Sequence, residues 1–140
     1  MTNSAVTKSI IHVAGYKSCG FYRRAASVVA SLSILFPNKL QVVEHEFTSR
    51  EEYREWLINS ESGGGFRDKV TNKVGNLRAN SFTSSPFCWL ANTSDSDSVD
   101  DVTDFIGGCD DTLDWCRNFA QPPSSSTVQK EEEIANMVPD

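Results

Sequence analysis

The chain lacks several features that would assign it to a common class. No apolar run approaches the roughly 20 residues that a membrane-spanning helix needs. Residues 1–8 are polar, without the apolar stretch of a secretory signal peptide. The net charge is −6, with 13 basic against 19 acidic residues, and nothing resembles the basic patch of nucleic-acid binders. We therefore expect a cytoplasmic protein that binds neither membranes nor nucleic acid.

The cysteine pattern also excludes a common kind of site. None of the four cysteines forms a CxxC pair, whereas structural zinc sites normally combine such pairs with each other or with histidines. The two histidines, His12 and His45, both fall in segments predicted to be strands. We expect no zinc site, and in a reducing compartment all four cysteines would remain thiols. They are Cys19, Cys88, Cys109 and Cys116.

Length and composition predict one domain. With 140 residues, 39% of them hydrophobic, the chain is long enough to bury its own core. We place an N-terminal tail at 1–8, the domain at 9–120 and a disordered tail at 121–140, where prolines, serines and a glutamate run predominate.

Apolar patterning alternates strands with helices along the domain. The predicted strands are 9–14, 40–46, 86–91 and 102–106, and the predicted helices are 21–35, 51–58 and 110–119. The segment from Ser60 to Gly65 is a break, and Phe66 to Asn80 fits either a short helix or an irregular loop. The order β-α-β-α-β-β-α predicts an α/β fold with a mixed four-stranded sheet flanked by helices.

Cys19 stands between the first predicted strand and the first predicted helix. At a helix N-terminus, the macrodipole and free backbone N–H groups favour the thiolate, which is the nucleophilic form. Lys17 adds positive charge nearby. Open α/β sheets place their sites at the carboxyl ends of strands, where this loop begins. We therefore predict that Cys19 is the one reactive thiol.

Two later segments are candidate ligand contacts. Pro86 follows Ser85 at a strand start, where it is either a simple strand initiator or a cis-proline turn that exposes the preceding backbone groups. Gly107-Gly108-Cys109-Asp110-Asp111 joins the last strand to the last helix. Its glycines allow close backbone approach, and its N–H groups form an anion site. With Asp110 to hold an ammonium group, this segment would suit an amino-acid head group.

In this order, the three segments resemble the glutaredoxin family of the thioredoxin fold. Cys19-Gly20-Phe21-Tyr22 is similar to the monothiol Cys-Gly-Phe-Ser site, with tyrosine in place of serine. Ser85-Pro86 corresponds to the family's Thr-Val-Pro turn, and Gly107 to Thr112 matches the family's glutathione-binding Gly-Gly-Cys-Asp-Asp-Thr run. The resemblance spans about Ser9 to Phe119, with an insertion at about 60–81.

The resemblance implies a glutathione-dependent thiol–disulfide oxidoreductase that removes glutathione from proteins. Cys19 would be the catalytic residue, and Pro86 would follow a cis bond. Its partners would be glutathione and glutathionylated proteins, and we expect a monomer. The implied glutathione contacts are Lys17, Tyr22, Ser85, Pro86, Gly108, Cys109 and Asp110.

Two alternatives stay open at this point. One is a [2Fe–2S] carrier, in which Cys19 of two subunits and two glutathiones would hold the cluster between the halves of a dimer. The other is a non-catalytic interaction module that kept the fold, as Tyr22 and the shifted position of Lys17 suggest.

Overall fold

A mixed four-stranded sheet forms the centre of the molecule. The computed structural model describes residues 8–58, 65–94 and 99–120. The sheet has the order β2-β1-β3-β4, in which β1 runs parallel to β2 and antiparallel to β3, and β3 runs antiparallel to β4. The strands are β1 (Ser9–Tyr16), β2 (Leu40–Phe47), β3 (Phe87–Ala91) and β4 (Val102–Gly107).

Five α-helices accompany the sheet in the part of the chain that the structure describes. They are α1 (Gly20–Leu35), α2 (Arg50–Ile58), α3 (Phe66–Val74), α4 (Leu77–Asn80) and α5 (Cys109–Ala120). A β-α-β unit, followed by helices, an antiparallel strand pair and a closing helix, is the thioredoxin-like arrangement. The predicted α/β fold class is therefore confirmed.

The side chains of the strands alternate between two cores, one on each face of the sheet. On one face, Ile11 and Val13 of β1 pack with Val29 and Leu32 of α1. Cys116 of α5 joins the same cluster. The other face is aromatic, and its buried cluster contains Tyr53, Phe66, Phe87, Trp89 and Phe105. Helices α1 and α5 thus cover one face, and α2 and α3 cover the other.

Several boundaries differ from the predicted ones by one or two residues. Strand β1 continues to Tyr16 because Gly15 and Tyr16 still pair with the end of β2. Pro86 lies outside β3, which is consistent with its missing N–H group. Helix α5 begins at Cys109 rather than Asp110. Residues 1–7 of the predicted tail at 1–8, the whole predicted tail at 121–140 and residues 60–64 of the predicted break at 60–65 lie outside the described residues.

The segment from Phe66 to Asn80, left open between helix and loop, forms two helices. Helix α3 ends at Gly75, whose φ of 73° is in the left-handed region that favours glycine. Helix α4 then begins after Asn76, whose side chain accepts a hydrogen bond from the Arg78 N–H at 3.0 Å. Phe66 stacks on Trp56 with ring centroids 4.7 Å apart, so this segment contributes to the aromatic core.

A histidine pair lies within the aromatic core. His12 is fully buried, and its Nε2 lies 2.9 Å from the carbonyl oxygen of Thr93. A carbonyl can only accept, so this nitrogen carries the proton. His12 Nδ1 lies 2.8 Å from His45 Nε2, and in a neutral His12 ring this Nδ1 is the acceptor. Both rings stack on Trp89. Burial, with the nearby His12, lowers the pKa of His45 to about 4.

This pair makes the stability depend on pH. In the unfolded chain the pKa of His45 is near 6.5. Between pH values of about 6.5 and about 4, the unfolded state therefore binds the proton and the folded state does not. His45 therefore contributes stability above pH ~6.5 that is lost as the pH falls, on the order of 3 kcal/mol at most. We expect His45→Gln, which keeps a donor but does not titrate, to flatten this part of the profile in urea unfolding. Parallel profiles for the two proteins would contradict this expectation.

Candidate functional site

Cys19 is the N-cap residue of α1. Its sulfur accepts a hydrogen bond from the Tyr22 N–H at 3.4 Å, and its own backbone N–H donates to the Tyr16 carbonyl at 2.9 Å. The side chain takes the place that serine or aspartate commonly occupies at an N-cap. The sulfur therefore faces the positive end of the helix dipole, and the first turn of α1 contains no acidic residue to offset it.

The turn before β3 lies against this sulfur. The Ser85–Pro86 bond is cis, as the resemblance implied, and the Ser85 carbonyl oxygen lies 3.7 Å from Cys19 Sγ, which donates to it. A Cβ at Gly15 would lie only 2.5 Å from both Ser85 Oγ and the Tyr22 ring. Glycine at position 15 is therefore what allows the turn to approach β1 so closely.

Helix α2 holds the same turn from its other side. The Tyr53 hydroxyl donates to the Ser84 carbonyl at 2.7 Å, and Arg54 Nη1 donates to the Thr83 carbonyl at 3.2 Å. Two consecutive carbonyls are thus fixed by side chains one residue apart on α2. The backbone of Ser85, which follows them, is held in place beside the sulfur.

The junction between β4 and α5 forms the third part of the site. Gly107 has a φ of 133°, and a Cβ there would lie 2.2 Å from Asp111 Oδ2. That carboxylate accepts from the Gly108 N–H at 3.4 Å and pairs with Arg78 at 3.0 Å. Asp111 is thus used to fix the start of α5. Asp110 is exposed and forms no hydrogen bond or ion pair within the described residues, so its carboxylate is available for a ligand.

Two adjoining grooves connect these parts. The thiol groove, of about 210 Å³, is lined by Tyr16, Cys19, Phe21, Arg50, Tyr53, Arg54, Thr83, Ser84 and Ser85. The α5 groove, of about 310 Å³, is lined by Phe21, Phe82, Ser84, Ser85, Gly108, Cys109, Asp110 and Asp111. Three residues line both grooves: Phe21, Ser84 and Ser85. The grooves therefore form one surface that links the thiol to the N-terminus of α5.

Most of the predicted site residues are brought together by the fold. Cys19, Ser85, Gly108, Cys109 and Asp110 all line this surface. Pro86 is buried beneath it, with its carbonyl oxygen 3.7 Å from where a Gly108 Cβ would lie.

Two predicted contacts lie elsewhere. The Tyr22 side chain is only 1% exposed and packs in the core around α1, so its backbone N–H is what reaches the thiol. Burial, together with the carboxylates of Glu44 and Glu46, raises the pKa of this tyrosine. Lys17 is exposed and lines neither groove.

Sequence reasoning assigned no role to several residues that line the surface, among them two arginines and two phenylalanines. Arg50 and Arg54 lie four positions apart on α2 and bring positive charge to the thiol groove. Phe21 and Phe82 supply apolar walls. The i, i+4 spacing of the two arginines can be read from the sequence. The sequence does not show which side of α2 faces the loop that contains Cys19.

The other three cysteines are poorly suited to react. Burial raises the pKa of Cys88 to about 12 and that of Cys116 to about 11. It also raises the pKa of Cys109. All three therefore stay protonated near neutral pH, and a protonated thiol is a poor nucleophile.

No family model and no curated protein matches the chain. Among solved structures, it is similar to the thioredoxin domain of a thiol-disulfide oxidoreductase from Bacteroides vulgatus, with a TM-score of 0.41 and 11% identity. The match covers 83% of this chain and 81% of that one. In the described part of the chain, no helix is long and apolar enough to cross a membrane.

Cysteine labelling tests whether Cys19 is the one reactive thiol. We expect iodoacetamide near neutral pH to alkylate Cys19 at least about tenfold faster than the other three cysteines, because their raised pKa values keep them protonated. Peptide mass spectrometry measures each rate separately. The Cys19→Ser variant is the control and should show only slow labelling. Labelling of Cys109 as fast as that of Cys19 would count against the assignment.

Proposed function

We propose that this protein catalyses glutathione-dependent thiol–disulfide exchange in the manner of a monothiol glutaredoxin, with Cys19 as the nucleophile. One observation carries the proposal. The Cys19 sulfur caps α1, lies 3.7 Å from the Ser85 carbonyl and opens on a surface that continues to the N-terminus of α5. A nucleophile, a backbone recognition turn and an anion site on one surface suit a disulfide-bound peptide such as glutathione.

The two ends of glutathione carry charges that match the two ends of this surface. Its γ-glutamyl carboxylate fits the N–H groups at the start of α5, and the neighbouring ammonium fits the Asp110 carboxylate. The glycine carboxylate at the other end fits Arg50 and Arg54 in the thiol groove. In this arrangement the two arginines take the role that the resemblance implied for Lys17.

The proposed exchange has two steps. The Cys19 thiolate attacks the glutathione sulfur of a glutathionylated protein. A disulfide forms between Cys19 and glutathione, and the protein leaves as a thiolate that takes up a proton. A second glutathione thiolate then attacks the glutathione sulfur on Cys19, which yields glutathione disulfide and restores the Cys19 thiolate. No second protein cysteine is needed, which agrees with a buried Tyr22 three positions after Cys19.

The alternatives from the sequence remain predictions. Among the described residues, no three His, Cys, Asp or Glu side chains are grouped so that they could hold a metal ion. In the [2Fe–2S] alternative that the resemblance implies, the Cys19 of each of two subunits and two glutathiones would hold the cluster. The non-catalytic module would keep the groove but not the exchange.

Deglutathionylation of a model substrate tests the chemistry. We expect Cys19→Ser to abolish activity, because serine cannot form the mixed disulfide. Cys116→Ala removes a buried thiol on the far part of α5 and should retain most of the activity, since the route uses one cysteine. Equal activity of the Cys19→Ser variant and the wild type would refute the proposed function.

Calorimetry with reduced glutathione tests the binding mode separately. The Cys19→Ser background prevents exchange during the titration. There we expect Asp110→Asn to weaken binding by about tenfold, because a charge-assisted hydrogen bond to the ammonium is lost. Asp114→Asn is the matched control, since Asp114 is also exposed on α5 but lines neither groove. If the two variants bind glutathione equally well, Asp110 does not hold the ammonium group.

A further inference from the structure

Helix α4 reaches the start of α5 through one side chain, that of Arg78. Arg78 Nη2 lies 3.0 Å from Asp111 Oδ2, and the guanidinium carbon lies 5.4 Å from the centre of the Phe105 ring. Both contacts hold the positive charge beside the α5 groove, which Asp111 lines. Arg78 itself does not line that groove, so it acts on a ligand there through Asp111 and not by direct contact.

The backbone around α4 fixes the position of Arg78. The Asn76 side chain accepts a hydrogen bond from the Arg78 N–H at 3.0 Å, and Ala79 is fully buried. The Phe82 N–H then donates to the Ala79 carbonyl at 3.2 Å. Phe82 is a wall of the α5 groove. The turn that carries Arg78 and this wall therefore belong to one hydrogen-bonded unit.

The two acidic residues at the start of α5 have different surroundings. Asp110 lines the groove and forms no hydrogen bond or ion pair within the described residues. Asp111 uses one oxygen, Oδ2, both to pair with Arg78 and to accept from the Gly108 N–H at 3.4 Å. Arg78 therefore compensates the charge of Asp111 and leaves that of Asp110 available.

The N–H groups next to these carboxylates are open to an anion. The Thr112 N–H donates to the Gly108 carbonyl at 2.9 Å and closes the first turn of α5. The N–H groups of residues 109–111, which precede it, have no acceptor within the helix. A ligand carboxylate at these groups would lie close to Asp111. An uncompensated charge on Asp111 would repel it and would offset the positive end of the helix dipole.

We propose that Arg78 is a positioning residue that makes the α5 groove selective for ligands with a free amino-acid head group. The inference rests on the proposed function, in which the γ-glutamyl end of glutathione binds in this groove. Arg78 cancels the charge of Asp111, so the α5 N–H groups accept the ligand carboxylate while Asp110 holds the ammonium. Helix α4 thereby tunes the affinity for one end of the ligand without touching it.

Two ligands that differ in one carboxylate test this role. In the Cys19→Ser background, NMR titration measures the affinity for glutathione and for γ-aminobutyryl-cysteinyl-glycine, which lacks the γ-glutamyl carboxylate. We expect Arg78→Gln to weaken glutathione binding about three- to fivefold and to leave binding of the analogue unchanged. Arg117→Gln is the matched control, because Arg117 pairs with Asp114 on the same helix and neither lines the groove. It should change neither affinity.

A double variant separates the charge effect from a structural one. Arg78→Gln/Asp111→Asn should restore the wild-type affinity for glutathione, because asparagine keeps an acceptor for the Gly108 N–H but carries no charge. An equal loss for both ligands, no recovery in the double variant, or unchanged glutathione binding in Arg78→Gln would overturn this inference alone. A wild-type protein that binds no glutathione would overturn the proposed function and this inference with it.

Discussion

The antiparallel pairing of β1 with β3 is the constraint on which the candidate site depends. Its register places Ala14, near the end of β1, beside Phe87, at the start of β3. The pairing of β3 with β4 then places Gly107 beside Cys88. Three loops that are far apart in the sequence therefore leave the sheet at one edge. Without this register, a helix-capping cysteine, a proline turn and a diglycine would be separate surface features.

The aromatic core on the other face of the sheet fixes one wall of the candidate site. Phe87 directly follows the cis-proline turn and packs against Phe82 and Phe105, with ring centroids 5.6 and 5.0 Å away. Phe82 lines the α5 groove, so the packing of the core and the shape of the groove share the same side chains. The segment from Phe66 to Asn80 therefore serves the site indirectly, by completing the core around these rings.

The sequence predicted the elements and the order of the site segments because both are local properties. Strand and helix periods, a cysteine before a helix and a diglycine before a helix can all be read along the chain. The direction of the Tyr22 side chain could also have been predicted. The buried residues of α1 follow the helical period, and Tyr22 is one of them: Tyr22, Ala25, Ala26, Val29 and Leu32. The resemblance to the Cys-Gly-Phe-Ser motif rests on residue type alone and does not indicate this direction.

The positions of Arg50 and Arg54 could not be obtained in this way. Helix α2 was predicted, but its rotation about its own axis is set by Tyr53 and Leu57, which pack into a core assembled from distant strands. Likewise, the apolar pattern of the Phe66–Asn80 segment fits both a short helix and a loop. The burial of Phe66 and Val70, which favours the helix, depends on partners far away in the sequence. Tertiary packing decides both cases.

The capping role of Cys19 links its chemistry to the stability of the fold. The same sulfur that would attack a disulfide also accepts the Tyr22 N–H at the start of α1. A thiolate is a far better acceptor there than a disulfide sulfur, so any group attached to Cys19 weakens the first turn of the helix. By thermodynamic linkage, a fold that favours the reduced thiol would make the mixed disulfide of the proposed exchange more strongly oxidising and easier to discharge. In the proposed exchange, α1 itself would therefore help to set the reduction potential of Cys19.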